Sequence, residues 1–229
     1  MKQGTLFVVA TPIGNLEDIT SRAIKILSSV NTIICEDTRI TRKILNKFNI
    51  KGKLVSCNEF SEIVKISQIH KLLTTGFDVA LVSDAGTPCI SDPGFRLISY
   101  LRESNEEINI LPIPGPSALT SAISISGLPS DSLYFVGFLP KKKGRLKKIT
   151  ELSNIDSTLI IYESPFRINK TIEDLYESFG NRKLFIAREM TKLYEDAYYG
   201  DFKTFLEKEN PIKIKGEFVI VVSKSGYKV

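Results

Sequence analysis

Short apolar runs alternate with helically spaced apolar stripes along the first half of the chain. Residues 6–10 (LFVVA), 32–35 (TIIC), 54–56 (LVS), 79–82 (VALV) and 108–111 (INIL) have the length and β-branched content of buried strands. Between them, stripes such as Ile19/Ala23/Ile26/Leu27/Val30, Ile40/Ile44/Leu45/Phe48 and Phe95/Leu97/Ile98/Leu101 predict amphipathic helices, with Asp18 as the N-cap of the first. Strands separated by such helices imply right-handed crossovers and a mainly parallel sheet whose carboxyl ends share one edge. After the helix at Leu119/Ala122/Ile123, strands at 133–138, 158–162, 184–187 and 217–222 resume, again with helices between them. Residues 194–200 read as a further strand, which makes the second sheet mixed.

The predicted carboxyl ends share a distinctive chemistry. The first strand runs into Thr11-Pro12-Ile13-Gly14-Asn15, the fourth into 83–94 (SDAGTPCISDPG), and the fifth into 112–118 (PIPGPSA). Rigid proline and glycine turns in succession are costly unless they shape something, and ligands of open α/β sheets bind outside the carboxyl ends of the strands. The second strand ends in Glu36-Asp37-Thr38-Arg39 and the third in Asn58-Glu59. These acids are candidate proton acceptors, with Arg39 orienting a carboxylate or binding a phosphate. On the alternative reading, Glu36 and Asp37 cap the next helix and Arg39 pairs with them.

Composition narrows the chemistry. The 229 residues are 42% hydrophobic and 25% charged, as in an ordinary soluble globular protein, and no apolar stretch is long enough to span a membrane. The chain begins without a signal-peptide pattern, so a cytoplasmic location is expected. Three scattered cysteines and the single His70 fit neither a disulfide framework nor a metal site, and none is expected. Net charge is +5, yet Lys141, Lys142, Lys143, Arg145, Lys147 and Lys148 lie within eight residues, so the rest of the chain is close to neutral. Such a local positive field suits a polyanion contact; the plainer reading is a solvated loop. The GxGxxG and GxxxxGK phosphate loops are absent, as are GxSxG, HExxH and paired CxxC. Turns of this kind suit a ligand held by backbone groups, such as one with an adenine ring, a ribose and an amino-acid tail.

The segments TPIGNLEDIT (11–20), EDTRITRKIL (36–45), VSDAGTPCISDPG (82–94), PIPGPSA (112–118), SGLP (126–129), GFLPKKKGR (137–145), YESPFR (162–167) and AREMTK (187–192) resemble, in matching order, the ribosomal RNA small-subunit methyltransferase I family of the tetrapyrrole methylase fold superfamily. The resemblance implies an α/β fold of two domains, at 1–115 and 116–229, with a mainly parallel N-terminal sheet, a mixed C-terminal sheet and a cofactor cleft between them. It implies S-adenosylmethionine-dependent methylation of a cytidine 2′-hydroxyl in 16S rRNA near the decoding centre, by a homodimer acting on the rRNA or the small subunit. Carried over by position, it places Pro12, Gly14, Ala85, Gly86, Thr87, Ile90, Ser117 and Ala118 on the cofactor walls. Glu163 and Met190 join them on the resemblance alone.

Two features depart from the family pattern. Phe166 stands where members usually carry histidine in YESPHR, and the helical extension that often follows the last strand is not in this sequence. RNA contact is then expected from the basic run or from a partner subunit. A small-molecule methylase of the same superfamily is the second reading and a catalytically silent RNA-binding module the third; the basic run separates the first reading from the second, since a tetrapyrrole needs no such patch.

Overall fold

A computed structural model describes residues 3–57, 62–104, 106–208 and 212–227. The chain divides into two compact units, Met1–Ser117 and Ala118–Val229.

The first unit holds five parallel strands, β1 (Thr5–Val9), β2 (Thr32–Cys35), β3 (Lys53–Ser56), β4 (Val79–Leu81) and β5 (Asn109–Ile113), in the order β3-β2-β4-β1-β5. Its helices are α1 (Ser21–Ser29), α2 (Thr38–Lys47), α3 (Glu62–Thr74) and α4 (Phe95–Glu103). Successive strand residues point to opposite faces, so the inner strands β1, β2 and β4 each feed two cores. Val9, Ile33, Cys35 and Ala80 pack with Ala23 and Leu27 of α1 and Ile44 and Leu45 of α2. Leu6, Ile34, Val79 and Leu81 pack with Ile69 and Leu73 of α3 and Leu97 and Leu101 of α4 on the other face. Burial on both faces is why these strands read as unbroken apolar runs.

This arrangement locates the ligand-binding edge. The helix after β4 lies on the face opposite to the helices after both of its neighbours, β1 and β2. The chain therefore diverges on each side of the β4 carboxyl end, which is where open sheets form crevices.

One predicted helix start is corrected. Asp18 does not cap α1; it closes a 3-10 turn, Leu16–Asp18, whose own cap is Asn15. Thr20 caps α1, its hydroxyl accepting from the Ala23 N–H at 3.1 Å. Both residue types are good caps, and the one adjacent to the apolar stripe wins.

The second unit holds β6 (Leu133–Phe138), β7 (Thr158–Glu163), β8 (Lys183–Arg188), β9 (Asp196–Asp201) and β10 (Phe218–Val222), in the order β6-β7-β10-β8-β9. Only β6 and β7 are parallel; the other pairs are antiparallel, so the sheet is mixed as expected. Helices α5 (Ala118–Ile125), α6 (Arg145–Ser153), α7 (Ile168–Phe179) and α8 (Phe202–Glu207) accompany it. Its core gathers Leu152, Ile168, Ile172, Leu175 and Phe202 against Leu159, Ile161, Leu184, Ile186 and Ile220.

Candidate functional site

At the switch point the three proline and glycine loops are joined by hydrogen bonds. Thr11 and Gly86 exchange backbone bonds, the Thr11 N–H donating at 2.8 Å and the Gly86 N–H at 3.0 Å. The Thr11 hydroxyl donates to the Ser83 carbonyl at 3.2 Å, and the Thr87 hydroxyl donates to Pro116 on the third loop at 3.2 Å. Gly86 has φ +81°, and a Cβ there would meet the Ile13 methyl at 3.3 Å. A left-handed backbone with no room for a side chain explains the glycine.

The loop after β4 also stores strain. Cys89 and Ser91, both non-glycine, have φ of 69° and 65°, and they flank Ile90, which is exposed. Left-handed non-glycine residues cluster at sites where the surroundings over-determine them. In the second unit, Glu189 (φ 50°) and Thr191 (φ 65°) flank the buried Met190 in the same way. Arg188 anchors that loop by donating to the Tyr194 and Lys215 carbonyls at 2.8 and 2.6 Å.

The first unit thus brings Pro12, Gly14, Ala85, Gly86, Thr87, Ile90 and Ser117 to one edge, with Pro12 and Gly86 buried and Gly14, Ala85 and Ile90 exposed. Ala118 opens α5 of the second unit. Glu163, expected on the cofactor wall, is engaged within the second unit. Its side chain is fully buried: one carboxylate oxygen accepts from the Ser164 N–H and from Arg167, each at 2.7 Å, and the other accepts from the Thr171 hydroxyl at 2.7 Å. With three donors around it, this carboxylate ties β7 to the start of α7.

The acids at the edge have sorted roles. Asp37 is the N-cap of α2, accepting from the Arg39 N–H at 2.8 Å, and it pairs with the Arg39 guanidinium at 2.6 Å. Hydrogen bonds from Arg39 hold its carboxyl down at about 2, which makes it a poor base. The capping alternative thus describes Asp37 and Arg39. Asp84 accepts from the Asp37 N–H at 2.9 Å, and burial pushes its carboxyl up. Glu36 stands next to them, half-buried. Glu59 and Asn58 lie outside the described residues.

Asp92 escaped the reading of the sequence. Burial, with Glu36 and Asp84 nearby, lifts its carboxyl to about 6, although a hydrogen bond with Ser83 works the other way. Nothing in its turn, Ser91-Asp92-Pro93-Gly94, marks it as the buried acid; the only signal is that a second aspartate follows Asp84 across the Pro/Gly loop.

The basic run is also sorted. Lys141, Lys142, Lys143 and Lys147 are exposed, and Lys148 sits over the Tyr134 ring at 5.8 Å. Arg145 differs from the lysines: its side chain is 11% exposed and paired with Asp174 at 3.0 Å, and it donates to the Thr171 hydroxyl at 2.7 Å. Among the described residues no group of histidine, cysteine or acid side chains could hold a metal ion, and no helix is long and apolar enough to cross a membrane.

Comparison with known proteins agrees with this geometry. Residues 5–205 match the family model of Tetrapyrrole (Corrin/Porphyrin) Methylases. Proteins named Ribosomal RNA small subunit methyltransferase I are 45% identical in Thermotoga maritima, covering 96% of this chain and 98% of that one, and 45% identical in Halalkalibacterium halodurans, covering 99% and 78%. The relative from Hydrogenobaculum sp. is 47% identical over 96% of this chain and 95% of its own. Among solved structures, uroporphyrin-III-C-methyltransferase from Thermus thermophilus superposes with a TM-score of 0.66 at 20% identity, covering 97% and 95%. The cobalt precorrin-4 methyltransferase CbiF gives 0.69 at 14%, covering 96% and 94%; at such identities the likeness concerns the fold. With the fold, the stitched edge and relatives matched over 78–98% of their length, the chain belongs to the ribosomal RNA small subunit methyltransferase I family of the tetrapyrrole methylases and is a methyltransferase.

Proposed function

We propose that this protein transfers a methyl group from S-adenosylmethionine to the 2′-hydroxyl of a cytidine in 16S rRNA near the decoding centre of the small subunit, acting in the cytoplasm as a homodimer. The observation that carries the reading is the edge at the switch point, in a chain whose near-full-length relatives are named as small-subunit rRNA methyltransferases. The edge suits this cofactor. Its walls are backbone and small side chains at Pro12, Gly14, Ala85, Gly86, Thr87, Ile90 and Ser117, with acids rather than phosphate-binding bases nearby, and a negative field favours a sulfonium.

S-adenosylmethionine supplies an activated methyl, so the chain's task is to align a ribose oxygen behind it and to receive a proton. Rigid loops serve alignment, which is worth roughly 7–11 kcal/mol when two reactants are held in line. Asp37 is engaged by Arg39, so among the described acids Glu36, Asp84 and Asp92 are the stronger candidates for proton acceptor; a carboxyl near 6, as at Asp92, is closer to the operating pH than an ordinary one. The exposed Lys141, Lys142, Lys143 and Lys147 suit the phosphates of a polyanionic substrate such as RNA.

The test is methyl transfer from labelled S-adenosylmethionine to naked 16S rRNA, to small subunits and to a tetrapyrrole, with mass spectrometry locating the product. A single ribose-methylated cytidine, missing from the rRNA of cells lacking the gene, is expected. Transfer to the tetrapyrrole alone would refute the reading.

A further inference from the structure

Phe166 is 96% exposed, more than any other large apolar side chain among the described residues. It is not on a floppy loop. Its turn follows Pro165, and the Arg167 and Ile168 N–H groups both donate to the Ser164 carbonyl, at 3.1 and 3.2 Å. A ring held in water by a fixed backbone loses the free energy of burial and gains a standing orientation.

The surroundings of the ring say what it is held for. Strands β6 and β7 are parallel and pair Phe138 with Tyr162, so the turn at 164–167 and the lysine loop at 139–144 leave the sheet on the same edge. One side chain ties the two together: Arg167 donates to the Leu139 carbonyl at 3.0 Å while pairing with Glu163. Arg145, at the far end of the lysine loop, is fixed through Thr171 to the same Glu163. Lys141, Lys142 and Lys143 are exposed and form no ion pair among the described residues, whereas Lys192, where β8 ends, is neutralised by Glu189 and Glu217. Positive charge is therefore concentrated where β6 and β7 end, beside Phe166 and the exposed ring of Phe138.

We propose that Phe166 is a stacking platform for an unpaired base of the RNA substrate, with Lys141, Lys142 and Lys143 holding the backbone phosphates beside it. Aromatic faces next to a cationic strip are how single-stranded RNA is held, because every base has a π-face and every linkage a charge. A second copy of this chain is disfavoured as occupant, since it would bring its own lysines against these.

The proposal rests on the ribosomal RNA reading above, and its test keeps the two separable. Phe166→Ala, Phe166→Leu and Phe166→Trp are compared with the unaltered protein for affinity to a single-stranded fragment of 16S rRNA at several salt concentrations, for methyl transfer to rRNA, and for oligomeric state. Because the ring is exposed, thermal stability should not change. The alanine and leucine variants should bind RNA roughly 5- to 100-fold more weakly, with the salt slope unchanged, and tryptophan should restore binding. Affinity for S-adenosylmethionine should be the same throughout. Normal RNA binding by Phe166→Ala, or full rescue by leucine, would overturn stacking while leaving the rRNA reading intact. Loss of dimer without loss of RNA affinity would assign the ring to a second copy. If the unaltered protein neither binds nor methylates RNA, both readings fall together.

Discussion

Asp92→Asn should flatten a fall in stability that the unaltered protein shows between about pH 4 and pH 6. The carboxyl of Asp92 rises from an ordinary 3.8 to about 6, chiefly because burial penalises its charge and also because Glu36 and Asp84 repel it. The folded state therefore keeps this proton to higher pH than the unfolded chain does, and stability falls as pH rises through that window. The full rise corresponds to about 3 kcal/mol; relaxation and residual solvent around a half-buried group leave about 1–3 kcal/mol. Asparagine keeps the shape and an acceptor for Ser83 but carries no charge. Urea denaturation followed by circular dichroism at half-unit pH steps from 3.5 to 8 reads the difference. The variant should match the unaltered protein near pH 4 and exceed it near pH 7. Asp37 lies in a separate window, since its lowered carboxyl adds stability that is lost only as pH falls from about 4 towards 2. Parallel pH curves for the two proteins, or a variant less stable at neutral pH, would refute the account of Asp92 as a buried, repelled acid.

Three further outcomes are expected. Gly86→Val places a branched side chain at φ +81° and against Ile13, so S-adenosylmethionine binding measured by calorimetry should be abolished while circular dichroism stays native-like. Replacing Lys141, Lys142 and Lys143 together with alanine should make the log–log salt dependence of single-stranded RNA affinity shallower by roughly two, with cofactor affinity unchanged. Thr171→Val deletes the fully buried hydroxyl that donates to Glu163 and accepts from Arg145, and urea denaturation should show a loss of about 1–3 kcal/mol.

What the sequence conveys here depends on how far apart interacting residues lie. The strands β1, β2 and β4 were legible because burial on both faces leaves unbroken apolar runs, and the stitched loops because proline and glycine punctuate the ends of β1, β4 and β5. The α1 cap was not, since Asp18 and Thr20 are both good caps two positions apart and only the 3-10 turn separates them. Arg145 looked like one more cation in a run because its partner Asp174 lies 29 positions on, in α7. Glu163 likewise meets Thr171 only once α7 has packed against β7. Left-handed residues such as Cys89, Ser91, Glu189 and Thr191 leave no compositional mark at all, because they are not glycines.

Those four residues bear on how rigid their two loops are. A left-handed non-glycine residue costs about 1–3 kcal/mol, and a loop free to relax would shed it. Cys89 and Ser91 keep it because the loop is fixed at both ends: Gly86 is paired with Thr11 on one side, and on the other Gly94, at φ +120°, opens α4, whose Leu97 and Leu101 are locked in the core. Glu189 and Thr191 keep it because the Glu189 carboxylate accepts from the Glu217 N–H at 2.9 Å and from Lys192 at 2.9 Å, while Arg188 holds the carbonyls of Tyr194 and Lys215. In both loops the strain is sustained by bonds to segments remote in sequence, and the residue between the strained pair, Ile90 or Met190, is set in place before any ligand arrives. For the methyl transfer proposed above, order of this kind in the loop after β4 is order that substrate binding does not have to create.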